Sequence, residues 1–141
     1  MPRMTDDEIF AFIAEKPRTA KLATVRRDGS PHVVPVWVAV DGRQLVFNAG
    51  ADTLKGKSMR RDPRVSLCFD DEEPPFAFVS IDGTVTLEDD LEAMLPWSTA
   101  IAARYMGEEQ AEAYGRRNAV EGELLVRVTP TRMIGQSGVA D

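Results

Sequence analysis

The sequence is poor in the side chains that carry most catalytic chemistry. Among 141 residues there is one cysteine, Cys68, and one histidine, His32. A single cysteine excludes an internal disulfide. Cys68 sits in the apolar run VSLCF, where a thiol packs as an inert core residue. There is no cysteine and histidine cluster for a metal, no Gly-x-Ser-x-Gly elbow and no dinucleotide glycine fingerprint. The acids of 70–73 lack the glycine and spacing of a calcium loop and read as a solvated turn. Long apolar runs are also missing. The longest, VVPVWVAV, is too short to span a bilayer and contains Pro35. The first ten residues, MPRMTDDEIF, turn acidic too early for a secretion signal, so a reducing cytoplasm is the simplest compartment. Excess positive charge is lacking as well. A net charge of −6 disfavours a nucleic-acid partner, which asks for a basic face.

What is present is ordinary globular composition, 43% hydrophobic and 28% charged, in a length that suits one domain over 1–141. TDDEIFAFIAEK predicts a helix. Thr5 and Glu8 have the spacing of a capping box, and Ile9, Phe10, Phe12 and Ile13 form an apolar stripe. The period then changes to two. Three strand-like runs fill 19–50, with turns at RDGSP and at Asp41 and Gly42. Pro35 confines its run to an edge or a bulge. A short helix is expected over 53–61, with Thr53 as its N-cap and Asp62-Pro63 as its stop. RVSLCFDD and FAFVSIDGTVTLE read as two further strands. Gly83 marks a bulge or bend, and Phe76 and Phe78 alternate onto one face. Two helices follow, with Pro96 starting or kinking one of them. ELLVRVTPTRMIG is a last strand, and 136–141 reads as a loose tail. The fold class is therefore mainly β, a six-stranded antiparallel barrel, closed or nearly so, with helical decoration.

One segment stands out against the acidic background. From Lys55 to Arg64 there are five cations (Lys55, Lys57, Arg60, Arg61 and Arg64) and one acid, Asp62. A helix N-terminus presents unpaired amides and partial positive charge, which suits phosphate. Thr53 adds a hydroxyl, Lys55 an ammonium in the first turn, and Gly56 room for a close backbone approach. At roughly 100° per residue, Lys55 and Lys57 point to nearly opposite sides, whereas Lys57 shares its face with Arg60 and Arg61. Two anion regions follow, one at Lys55 and one along Lys57 and Arg61. A ligand with one phosphate and a further acidic tail would suit both. Arg64, past the proline, is expected to pair with nearby acids.

The order NAGADTLKGKSMRRDPRVSL, preceded by LATVRRDGSPHVVPV and followed by FAFVSIDGTVTL, resembles the pyridoxamine 5′-phosphate oxidase-like split-barrel superfamily. Within it, the chain is most similar to the branch that uses the deazaflavin coenzyme F420. The resemblance covers most of 5–135. It implies that Thr53 and Lys55 fall on phosphate-binding positions. Leu54 stands where the oxidases proper often carry an arginine, so this chain departs there. Lys57 and Arg61 would take carboxylates of the coenzyme's glutamate tail. Pro35, Val36, Trp37, Asn48 and Ala49 would lie along the ring through backbone groups, and Phe78 gains a claim to ligand contact. The resemblance also implies a homodimer with the ring at its joint. The C-terminal arginine motif that holds pyridoxal phosphate is not evident in TRMIGQSGVAD, which argues against vitamin B6 oxidation. The reading is an F420-dependent reductase passing a hydride to a small apolar acceptor with an electron-poor conjugated double bond, such as an unsaturated lactone or enone. An FMN-dependent oxidase or flavin reductase of the same fold is the alternative, and a non-enzymatic ligand-binding module a third. No proton donor is evident. His32 reads as a strand-start residue near solvent, and Tyr105, Tyr114 and Trp97 as packing.

Overall fold

In the computed structural model, which describes residues 2–141, seven strands and four helices follow the order α1 (Asp6–Glu15), β1 (Ala20–Val25), β2 (Pro31–Val36), β3 (Ala39–Asp41), β4 (Gln44–Gly50), α2 (Leu54–Arg61), β5 (Arg64–Asp71), β6 (Ala77–Glu88), α3 (Leu91–Met106), α4 (Glu108–Asn118) and β7 (Glu123–Gln136). The strands form one antiparallel sheet ordered β2-β1-β5-β6-β7-β4-β3. The expected count of six is corrected to seven. The run through Pro35 is broken at Trp37 and Val38, so β2 and β3 occupy opposite ends of the sheet although they are neighbours in the chain. The ladder does not close into a full barrel. Instead the chain itself crosses the gap at Trp37 and Val38. Pro35 lies on the edge strand, where its missing donor costs no ladder bond.

The break has a physical cause. The Val38 N–H does not enter a ladder but donates to Tyr105 Oη at 3.2 Å, and that hydroxyl donates to the Arg18 carbonyl at 2.7 Å. The Tyr105 ring lies flat on Trp37, with centroids 5.0 Å apart and planes 2° from parallel. A residue of α3 thus holds the crossover of the sheet.

Local signals set most elements. Thr5 caps α1 in a full capping box, and Ile9, Phe10, Phe12 and Ile13 are buried beneath it. The main core joins this stripe to Leu22, Phe47, Leu67, Phe69, Ile81 and Val126. Gly83 lies at a register shift against β7, where a Cβ would sit 2.7 Å from the Thr129 carbonyl oxygen. Pro96 lies inside α3, whose N-cap is Asp90. Phe76 does not alternate with Phe78 on a strand: β6 begins at Ala77, and Phe76 is a turn residue with φ of 66°. The tail is also tied down. Gln136 completes β7, and the amides of Val139 and Ala140 donate to the carbonyls of Phe76 and Pro75. None of the described helices is long and apolar enough to cross a membrane.

The alternation along β4 positions the site. Leu45, Phe47 and Ala49 enter the main core, whereas Val46 packs on the other face in a second small cluster with Met94, Leu125 and Trp97. Asn48, two residues on from Val46, therefore projects to the α3 side. Antiparallel pairing puts Leu125 opposite Asn48 and Glu123 opposite Gly50, so the start of β7 faces the same way.

Candidate functional site

Between that face of the sheet and α3 lies a cavity of about 310 Å³. One wall is the end of β2 and the crossover: Pro35, Val36 and Trp37. Ser98 and Ile101 come from α3, Asn118 from the end of α4, and Asn48, Lys55 and Glu123 close the polar side. Five of the nine lining residues are polar or charged, a mixed lining more polar than that of most small-molecule sites.

Asn48 brings an unsatisfied polar atom to this cavity. Its Oδ1 accepts a hydrogen bond from Ser98 Oγ at 2.9 Å, while its Nδ2 is buried with no partner among the described residues. Turning the amide over would only exchange which atom is left unbonded. A buried amide atom without a partner costs about 1–3 kcal/mol. An acceptor-bearing heterocycle against Trp37 would satisfy it. Lys55 is half-buried and lines the cavity.

The start of α2 is built tightly. Thr53 is the N-cap, its Oγ1 accepting from the Gly56 amide at 3.1 Å and donating to the Gly50 carbonyl at 2.6 Å. Its hydroxyl is thus already engaged with the backbone. Gly56 differs from expectation. It is buried, and a Cβ there would lie 2.1 Å from the Gly50 carbonyl oxygen. Its missing side chain serves the contact between α2 and the end of β4, not the approach of a ligand.

Lys57 points elsewhere. With Arg27, Arg60, Arg61 and Leu54 it lines a second, surface cavity of about 460 Å³. Four cations and no acid line it, although the chain is acidic. Arg61 Nη2 is fixed by donating to the Val25 carbonyl at 2.9 Å. Arg64 takes no part. It pairs with Asp62 through Nη2 at 2.8 Å and Nε at 3.0 Å, which holds the Asp62 carboxyl down at about 2.

Of the sequence-predicted residues, Pro35, Val36, Trp37, Asn48 and Lys55 come together in the first cavity, and Lys57 and Arg61 in the second. Ala49 turns its side chain into the core, 2% exposed, because the strand alternation sets it opposite to Asn48. Phe78 lies near the start of β6, paired with Asp70 and Gln136, and lines neither cavity. Sequence reasoning missed Ser98, Ile101, Asn118 and Glu123, which arrive only through helix packing and strand register, and Arg27, which a turn brings beside α2. Glu123 carries a perturbed carboxyl. Burial raises its pKa, and the Lys55 ammonium partly opposes the rise.

Other chemistry-bearing groups lie apart. Cys68 is half-buried on β5, its thiol pushed up by burial and by the Asp70 carboxylate. His32 stands on the edge strand opposite Thr24. Another hollow, of about 550 Å³, lies along β1, β5 and β6. Ser66 Oγ there donates to Asp82 Oδ1 at 2.6 Å, and Thr24 Oγ1 is buried without a partner among the described residues.

Comparison with known proteins bears on this geometry. The profile of the pyridoxamine 5′-phosphate oxidase family matches residues 5–136. No curated protein matches the chain. Among solved structures, a conserved hypothetical protein of Mycobacterium tuberculosis is 27% identical with a TM-score of 0.84, over 96% of this chain and 86% of its own. An F420 reductase is 24% identical with a TM-score of 0.66, over 86% and 93% respectively. A FAD-binding protein of Mesorhizobium loti is 20% identical with a TM-score of 0.67, over 95% of each chain. The last two likenesses speak to the fold alone.

Proposed function

The chain belongs to the pyridoxamine 5′-phosphate oxidase family of split-barrel proteins, and from that premise we propose that it is a reductase that uses the deazaflavin coenzyme F420. When bound, the reduced coenzyme supplies a hydride, here for an electron-poor conjugated double bond in a small apolar acceptor. The protein supplies binding, orientation and electrostatics.

The observation that carries this reading is the pair of separate cavities on α2. Lys55 meets one phosphate beside the ring site. Lys57, Arg60, Arg61 and Arg27 form a second cationic hollow that FMN, which ends at its phosphate, would leave unused. Leu54, 46% exposed where the oxidases often carry an arginine, weakens the case for a terminal phosphate further. A coenzyme with an acidic tail uses both regions. That one structure of this fold is an F420 reductase agrees with the reading.

The residues then divide the work. Trp37, held by Tyr105, and Val36 flank the ring, and Asn48 donates to a ring carbonyl through the amide that is otherwise unpaired. Lys55 and the N-terminus of α2 fix the phosphate. The apolar residues Val36, Trp37 and Ile101 favour an apolar acceptor. Trp37 is 38% exposed and Val33, on the edge strand, 59%. This open apolar margin supports a homodimer that completes the site.

The test is direct. Reduced F420 is mixed with protein and a panel of unsaturated lactones and enones, and return of the oxidised deazaflavin absorbance is followed. The reading expects saturable turnover on part of the panel. FMN co-purifying with the protein, with no affinity for F420, would move the assignment to a flavin enzyme. Tight F420 binding without turnover would leave a carrier.

A further inference from the structure

The phosphate end of the ring cavity already contains an anion. Lys55 and Glu123 are the two charged residues that line it. Glu123 reaches this place from the start of β7, opposite Gly50. A Cβ on Gly50 would lie 3.1 Å from Glu123 Oε2 and 3.0 Å from Thr53 Cγ2, so the carboxylate and the capping threonine flank the same point at the entrance to α2. The first turn of α2 has no acid of its own. A carboxylate from another strand occupies the electropositive end of the helix, where a ligand phosphate is expected.

We propose that Glu123 determines which phosphate the cavity accepts, favouring a singly charged diester over a doubly charged terminal monoester. This rests on the coenzyme reading above and extends it to specificity. A phosphate that links a ring to a further tail is a diester and carries one charge at any pH near neutrality. A terminal phosphate carries about 1.5 to 2 negative charges at pH 7. Lys55 and Glu123 together are neutral, so the cavity offers no net charge to offset a second one. Repulsion scales with ligand charge and is weakly screened in a half-buried site. The monoester therefore meets about twice the penalty of the diester. A monoester that enters beside Glu123 adds negative charge and so promotes proton uptake by the carboxyl. Burial, which makes the Glu123 carboxylate harder to ionise, favours that uptake, and Lys55 opposes it. Among the described residues, no titratable side chain other than Lys55 lines the cavity with Glu123. The groups from α3, α4 and β4 are Ser98, Asn118 and Asn48, and those from β2 and the crossover are apolar.

The experiment compares riboflavin, FMN and F420 as probes on the wild type and on Glu123→Gln, by fluorescence titration at pH 6 and pH 8. Riboflavin has the ring and no phosphate and reports the ring site alone. At pH 8 the variant is expected to gain about tenfold in FMN affinity, about threefold for F420 and nothing for riboflavin. In the wild type, FMN affinity relative to riboflavin falls from pH 6 to pH 8 more steeply than in the variant. Calorimetry of FMN binding to the wild type in buffers of different ionisation heat adds a reading without mutation, and proton uptake is expected. Equal gains for FMN and F420, an unchanged or weakened FMN affinity, or binding without proton uptake would overturn the role of Glu123 and leave the coenzyme reading standing. Binding of none of the three probes would overturn both.

Discussion

Lys55 and Lys57 are separated by one residue, yet they serve different cavities, so their removal should be read differently. Lys55→Ala is expected to weaken full-length F420 and an analogue truncated after the phosphate alike. Lys57→Ala should weaken only the tailed form. Each lost charge-assisted contact costs about 1.5–3 kcal/mol. Titration of both forms against both variants checks this, and equal losses in all four combinations would contradict two separate anion regions. The opposed directions of the two lysines were legible from helical geometry alone. The orphaned amide of Asn48 was not, because it depends on Ser98, fifty positions away. Glu123 was equally hidden. Nothing in ELLVRV marks its first residue as facing a helix entrance, and only the pairing of β7 with β4 brings it there.

Among the elements, α2 carries most of the account. Its bounds could be read from Thr53 and Asp62-Pro63, since capping and proline act locally. Its seating could not. Gly56 lets the helix touch the end of β4, and the contact is backbone against backbone. Gly56→Ala should push α2 off the Gly50 carbonyl, destabilise the protein by about 1–3 kcal/mol, and abolish phosphate-dependent ligand affinity. Denaturant unfolding and FMN-against-riboflavin titration measure the two effects. Wild-type stability and affinity in this variant would show that the close approach is dispensable. The short strand β3 illustrates the same limit. A single run through Pro35 suggested one strand, but Tyr105, distant in sequence, draws the Val38 amide out of the ladder and divides the run in two. Hairpin turns, the capping box and the bulge at Gly83 are local or nearly so, and these were readable in advance.

For the molecule as a whole, charge is the organising feature. A chain of net charge −6 gathers Arg27, Lys57, Arg60 and Arg61 around one hollow, next to a cavity where Lys55 is balanced by Glu123. Mutual repulsion among four cations is retained without a protein carboxylate lining the same hollow, which is the arrangement expected of a site that an acidic ligand completes. The sheet contributes the frame: its two ends meet through Trp37 and Val38 without hydrogen-bonded closure, and the cavity proposed for the ring is lined by residues of that crossover. The measurement that bears most directly on this account is a crystal structure with oxidised F420. The ring is expected between Trp37 and Asn48, the phosphate at Lys55 and the acidic tail along Lys57 and Arg61. A coenzyme found on another surface, or a ring cavity that excludes it at saturating concentration, would contradict the account.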